Sequence, residues 1–329
     1  MTTTVAAAST RPDGSRALRA ARGCHDDEDG NEDDAAADVR LLYDAYEPKE
    51  TRQVHVSRDV SVRVTCARDG GPGALQSGVW LWPAATTLAE FVVEAMLADG
   101  LERNPRDASG GETLSVVRRA GREWGVARRR RRRELLGQEA GADDEVATAP
   151  SADPLRPPLA VVELGAGAGL CGLAAARALQ VSGRGGSVLI TDRDLTTVRM
   201  VRESVKACGG FGDGVDVRAR RLEFGAPREG EPRLAADLVL GSDLIYASDV
   251  AALLVRTLAT RFDAARPWSM LLASSFRHPE TTRILDEECA RHGLERVQLV
   301  CEGADARGAG DRVQLVEELR VRRWWRSSA

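Results

Sequence analysis

The stretch Leu159 to Leu173, LAVVELGAGAGLCGL, constrains the fold of this 329-residue chain more than any other. An apolar run of strand type ends at Glu163, the chain passes through Gly165, Gly167 and Gly169, and the helical pattern LCGLAAARAL follows. This predicts a strand, a glycine loop and a helix. Glycine lets the backbone turn sharply and approach a ligand closely, and the first N–H groups of the helix face the same crevice. Either a nucleotide-like ligand sits there, or the glycines serve only a tight packed turn.

The spacing narrows the ligand. A dinucleotide fingerprint reads G-x-G-x-x-G around a pyrophosphate. Here the third glycine, Gly169, comes one residue early, and Leu170 stands where the fingerprint needs glycine. Glu163 at the strand end would repel phosphate and could accept hydrogen bonds from an ammonium. The reading turns from NAD towards a cationic, phosphate-free ligand such as S-adenosylmethionine.

Beyond the loop, strand and helix patterns alternate. Strands are predicted over Ser187–Asp192, Val215–Leu222, Ala236–Asp243, Trp268–Ser275, Leu294–Cys301 and Arg312–Val321, with helices over Leu195–Cys208, Val250–Phe262 and Pro279–His292. Such alternation implies an α/β fold with a parallel sheet. Only a glycine-rich loop, Gly303 to Gly310, parts the last two strands, so they should pair antiparallel. The expected fold is a Rossmann-like, doubly wound, seven-stranded sheet with a C-terminal antiparallel hairpin. Ligands of such sheets bind beyond the carboxyl ends of the strands, where Glu163, Asp192 and Asp243 all fall.

Upstream, VHVSRDVSVRVTC (Val54 to Cys66) alternates valine with polar residues, the period of half-buried strands. Trp80 and Trp82 precede Pro83, which is suited to start a helix carrying Leu88, Phe91, Val92 and Met96 at helical spacing. Four segments are expected: an unstructured acidic tail (1–38), N-terminal strands and a helix packed on the core (39–98), an arginine-rich insert (99–158) and the core itself (159–325). The insert holds six consecutive arginines, Arg128 to Arg133, read as a solvated helix or loop face, with a nuclear-localisation or anionic-patch signal as the alternative. The basic, hydroxylated first 22 residues leave a transit peptide as the alternative to a plain tail.

Composition excludes several classes. No apolar run of about 18 residues occurs, so no membrane span is expected. A net charge of −4 gives no reason to expect nucleic-acid binding. The six cysteines (24, 66, 171, 208, 289 and 301) show neither C-x-x-C nor zinc spacing and read as free thiols of a reducing compartment. A monomer is expected, in the cytoplasm, with nucleus or organelle as alternatives.

In order, SGVWLWPAATTLAEF, VVELGAGAGLCGL, VLITDRD, RRLEFG and DLVLGSDLIYASD resemble the family-16 methyltransferases, which include lysine methyltransferases acting on folded proteins. The resemblance covers roughly residues 50–100 and 159–321. It implies that Glu163 and the loop Gly165, Ala166, Gly167 and Gly169 hold the methionine part of S-adenosylmethionine. Asp192, followed by Arg193, would bind the ribose, Trp82 would wall the site, and Phe224 would stand in place of the family's usual tryptophan near adenine. The family's D-x-x-Y element is matched by Asp243 to Tyr246, after Ser242, and implies a role for Asp243 and Tyr246 in positioning at the reacting centre. The chain departs from the family in lacking an asparagine in RESVKAC, in its insert, and in its scarcity of aromatics.

The implied activity is methylation of a lysine on a folded protein. The alternatives are another nucleophile (protein histidine, a small molecule or RNA) and a cofactor-binding protein without turnover. No metal is implied, and His278 is the one histidine near a predicted strand end. For Asp243 a helix N-cap role is also open, because Ala247, Ser248 and Asp249 follow.

Overall fold

The computed structural model describes residues 49–67, 77–97, 158–263, 268–275, 279–302 and 314–321. The tail 1–38, the insert apart from Pro158, the arginine run, Cys24, His278 and the glycine-rich loop 303–310 lie outside these residues. The described residues all fall within one compact unit, Glu47–Ala329.

Strands β1 (Lys49–His55) and β2 (Ser61–Ala67) form an antiparallel hairpin, with Val54 opposite Val62. The alternating valines explain it: Val62 and Val64 are buried while Arg63 stays exposed. The hairpin is tied to helix α3 (Leu195–Ala207) through Thr65 N–H, which donates to Ser204 Oγ at 2.8 Å. After a short 3-10 turn (Ser77–Val79), helix α1 (Pro83–Leu97) starts on Pro83, whose missing N–H costs nothing at that position.

The main sheet holds β3 (Leu159–Glu163), β4 (Gly186–Asp192), β5 (Val215–Arg221), β6 (Leu238–Ser242), β7 (Ser269–Ser274), β8 (Leu294–Glu302) and β9 (Gln314–Val321). Their order is β5-β4-β3-β6-β7-β9-β8. The first five pair in parallel, and β9 runs antiparallel to both β7 and β8. The expected doubly wound sheet and terminal hairpin are both present. Central strands read as apolar runs because helices cover both faces: Leu238, Val239, Leu240 and Gly241 are all buried. Edge strand β5, VDVRARR, carries the charges that discourage edge pairing.

Helix α2 (Leu170–Val181) lies under the sheet's middle and is buried almost all round, which its small residues Ala174, Ala175, Ala176 and Ala178 permit. Helix α3 is amphipathic and opens on Asp194, whose side chain accepts from Thr196 N–H. Helices α4 (Ser248–Arg261) and α5 (Pro279–Arg291) complete the second layer. Strand order reverses at β3, between β4 on one side and β6 on the other, so the crevice of a doubly wound sheet opens above β3.

Candidate active site

A cavity of about 610 Å³ occupies that crevice, within the usual range for small-molecule sites. Its walls come from the carboxyl ends of five strands: Gly165 to Ala168 after β3, Asp192 to Asp194 at β4, Leu222 to Phe224 after β5, Ser242 to Tyr246 at β6, and Ser274 and Ser275 at β7. Trp80 and Trp82, from the approach to α1, close one side.

The glycine loop owes its path to backbone conformation. Gly165, Gly167 and Gly169 have φ of +55°, +52° and +77°, the left-handed region that side chains disfavour. Gly167 has no spare room either, since a Cβ there would lie 3.1 Å from the carbonyl oxygen of Gly78. Asp192 holds the loop down: its Oδ2 accepts from Gly167 N–H at 3.0 Å and its Oδ1 from Asp194 N–H at 3.0 Å. A carboxylate offers about four acceptor positions, so Asp192 retains capacity for hydroxyl donors in the cavity it lines. Burial pushes its pKa up from the usual aspartate value, against the lowering effect of those two N–H groups.

Asp243 has φ +50°, and it is the one non-glycine residue with positive φ among the described residues. Its Oδ1 accepts from Ser275 N–H at 2.7 Å and its Oδ2 lies 3.1 Å from Ser275 Oγ. The helix N-cap alternative does not hold, because α4 begins at Ser248 after Ala247. Tyr246 stands at the mouth, 68% exposed.

Of the residues expected at the site, Trp82, Gly165, Ala166, Gly167, Asp192, Arg193, Phe224, Ser242, Asp243 and Tyr246 all line the cavity. Glu163 and Gly169 do not. Glu163 is 1% exposed and turned behind the loop, where its Oε2 accepts from Gly172 N–H at 2.9 Å. Burial pushes its pKa up to about 8, outweighing that bond. Sealed behind the loop and bonded to Gly172, Glu163 does not face the cavity in this structure, unlike the expectation drawn from strand-end position alone. Gly169 instead precedes α2, and a Cβ there would come 3.0 Å from Val201.

Three features escape a linear reading. Gly172 takes the close-packing role, since its Cβ would fall 2.6 Å from Glu163 Oε2 and 2.7 Å from Ile190; a glycine two residues into the helical run was the available signal. Ser275 joins Asp243 across 32 positions. Thr197 lines the cavity with a buried hydroxyl that, like the indole N–H of Trp80, whose place at the helix start left core and ligand contact both open, has no hydrogen-bond partner among the described residues.

These residues fit S-adenosylmethionine. The cavity pairs apolar walls (Leu222, Phe224, Leu244, Ile245) with the Asp192 acceptor, two unpartnered buried polar groups, and four acidic residues (Asp192, Asp194, Glu223, Asp243) against one arginine, Arg193. Buried polar groups are ordinarily satisfied, and a surplus of acids favours a cationic ligand. No cluster of metal-ligating side chains occurs among the described residues. Cys66, Cys171, Cys208 and Cys289 are free thiols, and no described helix is long and apolar enough to cross a membrane.

No curated protein matches the chain. Among solved structures, a predicted O-methyltransferase from Agrobacterium tumefaciens is 18% identical, with 49% of this chain and 73% of that chain covered and a TM-score of 0.36. The magnesium protoporphyrin IX methyltransferase of Synechocystis, solved with bound SAH, is 14% identical (62% and 85% covered, TM-score 0.37). A methyltransferase from Pyrococcus furiosus is 13% identical (62% and 97% covered, TM-score 0.36). Likenesses this distant say nothing of the substrate. Residues 138–287 match the model of the family Methyltransf_16, described as lysine methyltransferase. The matched span contains the glycine loop, Asp192 and the Asp243–Tyr246 element, so over these residues the chain is similar to the lysine methyltransferase family, whose cofactor is S-adenosylmethionine.

Proposed function

We propose that the chain methylates the side-chain amine of a lysine presented by a folded protein. The observation that carries this reading is the mouth of the cavity, where acidic residues stand beside an exposed aromatic rim. Asp194, Glu223 and Asp243 would draw in an ammonium, and Tyr246 and Leu253, 68% and 39% exposed, offer apolar area to a protein surface around it.

In this reading Asp192 and the backbone of the 165–169 loop hold S-adenosylmethionine, with Trp82 and Phe224 as walls. The bound cofactor supplies an electrophilic methyl group on a sulfonium. The chain's own part is alignment, which demands reacting atoms about 3 to 3.5 Å apart. Asp243, fixed by Ser275, and Tyr246 orient the incoming amine. Among the described residues no histidine lines the cavity, so the ammonium drawn to the mouth gives up its proton to solvent before transfer, and desolvation inside the apolar part of the cavity favours that loss.

The test is transfer of radiolabelled methyl from S-adenosylmethionine into a lysate, followed by mass spectrometry of labelled species. Label on a lysine of a folded protein supports the reading. Label confined to histidine, small molecules or RNA, or none at all with wild-type protein that binds the cofactor, overturns it.

A further inference from the structure

The loop after β5 carries Leu222, Glu223 and Phe224 into the cavity, yet it has little secondary structure of its own to hold it there. What holds it is one turn of α4. Thr257 Oγ1 accepts from Gly225 N–H at 2.7 Å, and Arg261 Nε donates to Gly225 carbonyl oxygen at 2.9 Å. Both polar groups of the residue following Phe224 are therefore fixed by side chains four positions apart on one helix face. Thr257 also donates to Leu253 carbonyl oxygen at 2.8 Å, which fixes its hydroxyl.

The Arg261 guanidinium goes further along the loop. Nη2 donates to Ala226 carbonyl oxygen at 3.3 Å, and Nη1 meets Glu231 Oε1 at 2.5 Å. Arg261 is 7% exposed, so it is a buried cation whose every described partner belongs to this loop. Glu231, in spite of some burial, is held below the usual carboxylate range by Arg228 N–H and by Arg261. On the cavity side, the Phe224 ring approaches the space over Gly165 to 3.5 Å of where a Cβ would sit. The ring thus spans the gap between the clamp and the glycine loop.

We infer that Arg261 and Thr257 are positioning residues for the cofactor, setting through Gly225 the wall that Phe224 presents to S-adenosylmethionine. Neither touches the cavity, and both act on cofactor affinity through Phe224. The inference rests on Phe224 as a cofactor wall, and the experiment separates the two.

S-adenosylmethionine binding is measured by calorimetry for wild type, Phe224→Ala, Arg261→Lys, Thr257→Val and the double variant Phe224→Ala/Arg261→Lys, with kcat and KM for the cofactor alongside. Lysine keeps the charge but replaces the planar fork with a single point donor. The expected result is a Kd raised about tenfold in Arg261→Lys, equivalent to loss of one charged hydrogen bond. Thr257→Val should raise Kd in the same direction, and kcat at saturating cofactor should stay within about twofold, a KM-against-kcat split. The double variant should bind no more weakly than Phe224→Ala, because the clamp has no other route to the ligand. Wild-type Kd in both folded clamp variants, or additive losses in the double variant, overturns the inference. Unaltered binding in Phe224→Ala overturns the wall assignment itself.

Discussion

Asp243 and Ser275 lock the carboxyl ends of β6 and β7 together: Ser275 donates its backbone N–H to one carboxylate oxygen at 2.7 Å and sets its hydroxyl 3.1 Å from the other. The backbone of Asp243 turns at φ +50° to allow it, a conformation that costs a non-glycine residue free energy and clusters at functional sites. Asp243→Ala removes both bonds and should lower kcat/KM by at least about tenfold, whereas Ser275→Ala keeps the backbone bond and should lose about threefold to tenfold. Steady-state methyl transfer reads both. Asp243→Ala with unchanged cofactor binding and unchanged transfer would remove Asp243 from the site.

Glu163 gives the chain a pH-dependent stability. Burial raises its pKa to about 8 in the fold against an ordinary 4.5, so over that window the native state holds a proton that the unfolded chain has released. The contribution is complete below the unfolded value and is lost as pH rises through the folded one, with a slope of up to about 1.4 kcal/mol per pH unit. Glu163→Gln, neutral throughout, should remove that slope and be the more stable protein at about pH 8. Denaturant melts of both proteins from about pH 5 to about pH 8 check this; parallel profiles would mean that Glu163 is ionised in the fold.

The contrast between Glu163, Asp192 and Asp243 marks the limit of what the sequence makes legible. All three are acids at strand ends, and strand periodicity locates each within a residue. Side chains alternate across a strand, however, and the loop that follows decides which face meets the ligand. Asp192 and Asp243 line the cavity, while Glu163 faces α2. The alternation of strands and helices and the terminal hairpin were legible because apolar runs, glycine turns and helical patterns agree along the chain. The Arg261–Gly225 and Asp243–Ser275 bonds were not, because each joins segments more than 30 residues apart and no local pattern encodes such a pairing.

Gly172 and Gly167 should separate packing from binding. Gly172→Ala drives a methyl into Glu163 and Ile190 and should cost about 1–3 kcal/mol of stability, by overpacking. Gly167→Ala places a side chain at φ +52° against Gly78, on the loop that lines the cavity, and should cut S-adenosylmethionine affinity by more than about tenfold. Gly210→Ala is the matched control, with φ +84° but nothing within 4 Å of the added Cβ. Thermal melts and cofactor titrations of the three variants should dissociate: a Gly167 variant that binds like the Gly210 control would take the loop out of the cofactor site.

Tyr246 lies at the exposed mouth of the same cavity. With 68% of its surface exposed, it contributes little to folding, so a ring left in water at the mouth of a cavity is best explained by what it later covers. Aromatic side chains at interfaces commonly carry about 2 kcal/mol or more of binding, which sets the expected size of the effect. Tyr246→Ala should therefore raise KM for the protein substrate by about tenfold or more, with cofactor Kd and melting temperature close to wild type. Tyr246→Phe, which keeps the ring, should recover most of that loss if the ring supplies area, and little of it if the hydroxyl orients the amine. A KM for the protein substrate that does not move in Tyr246→Ala would place the docking surface elsewhere.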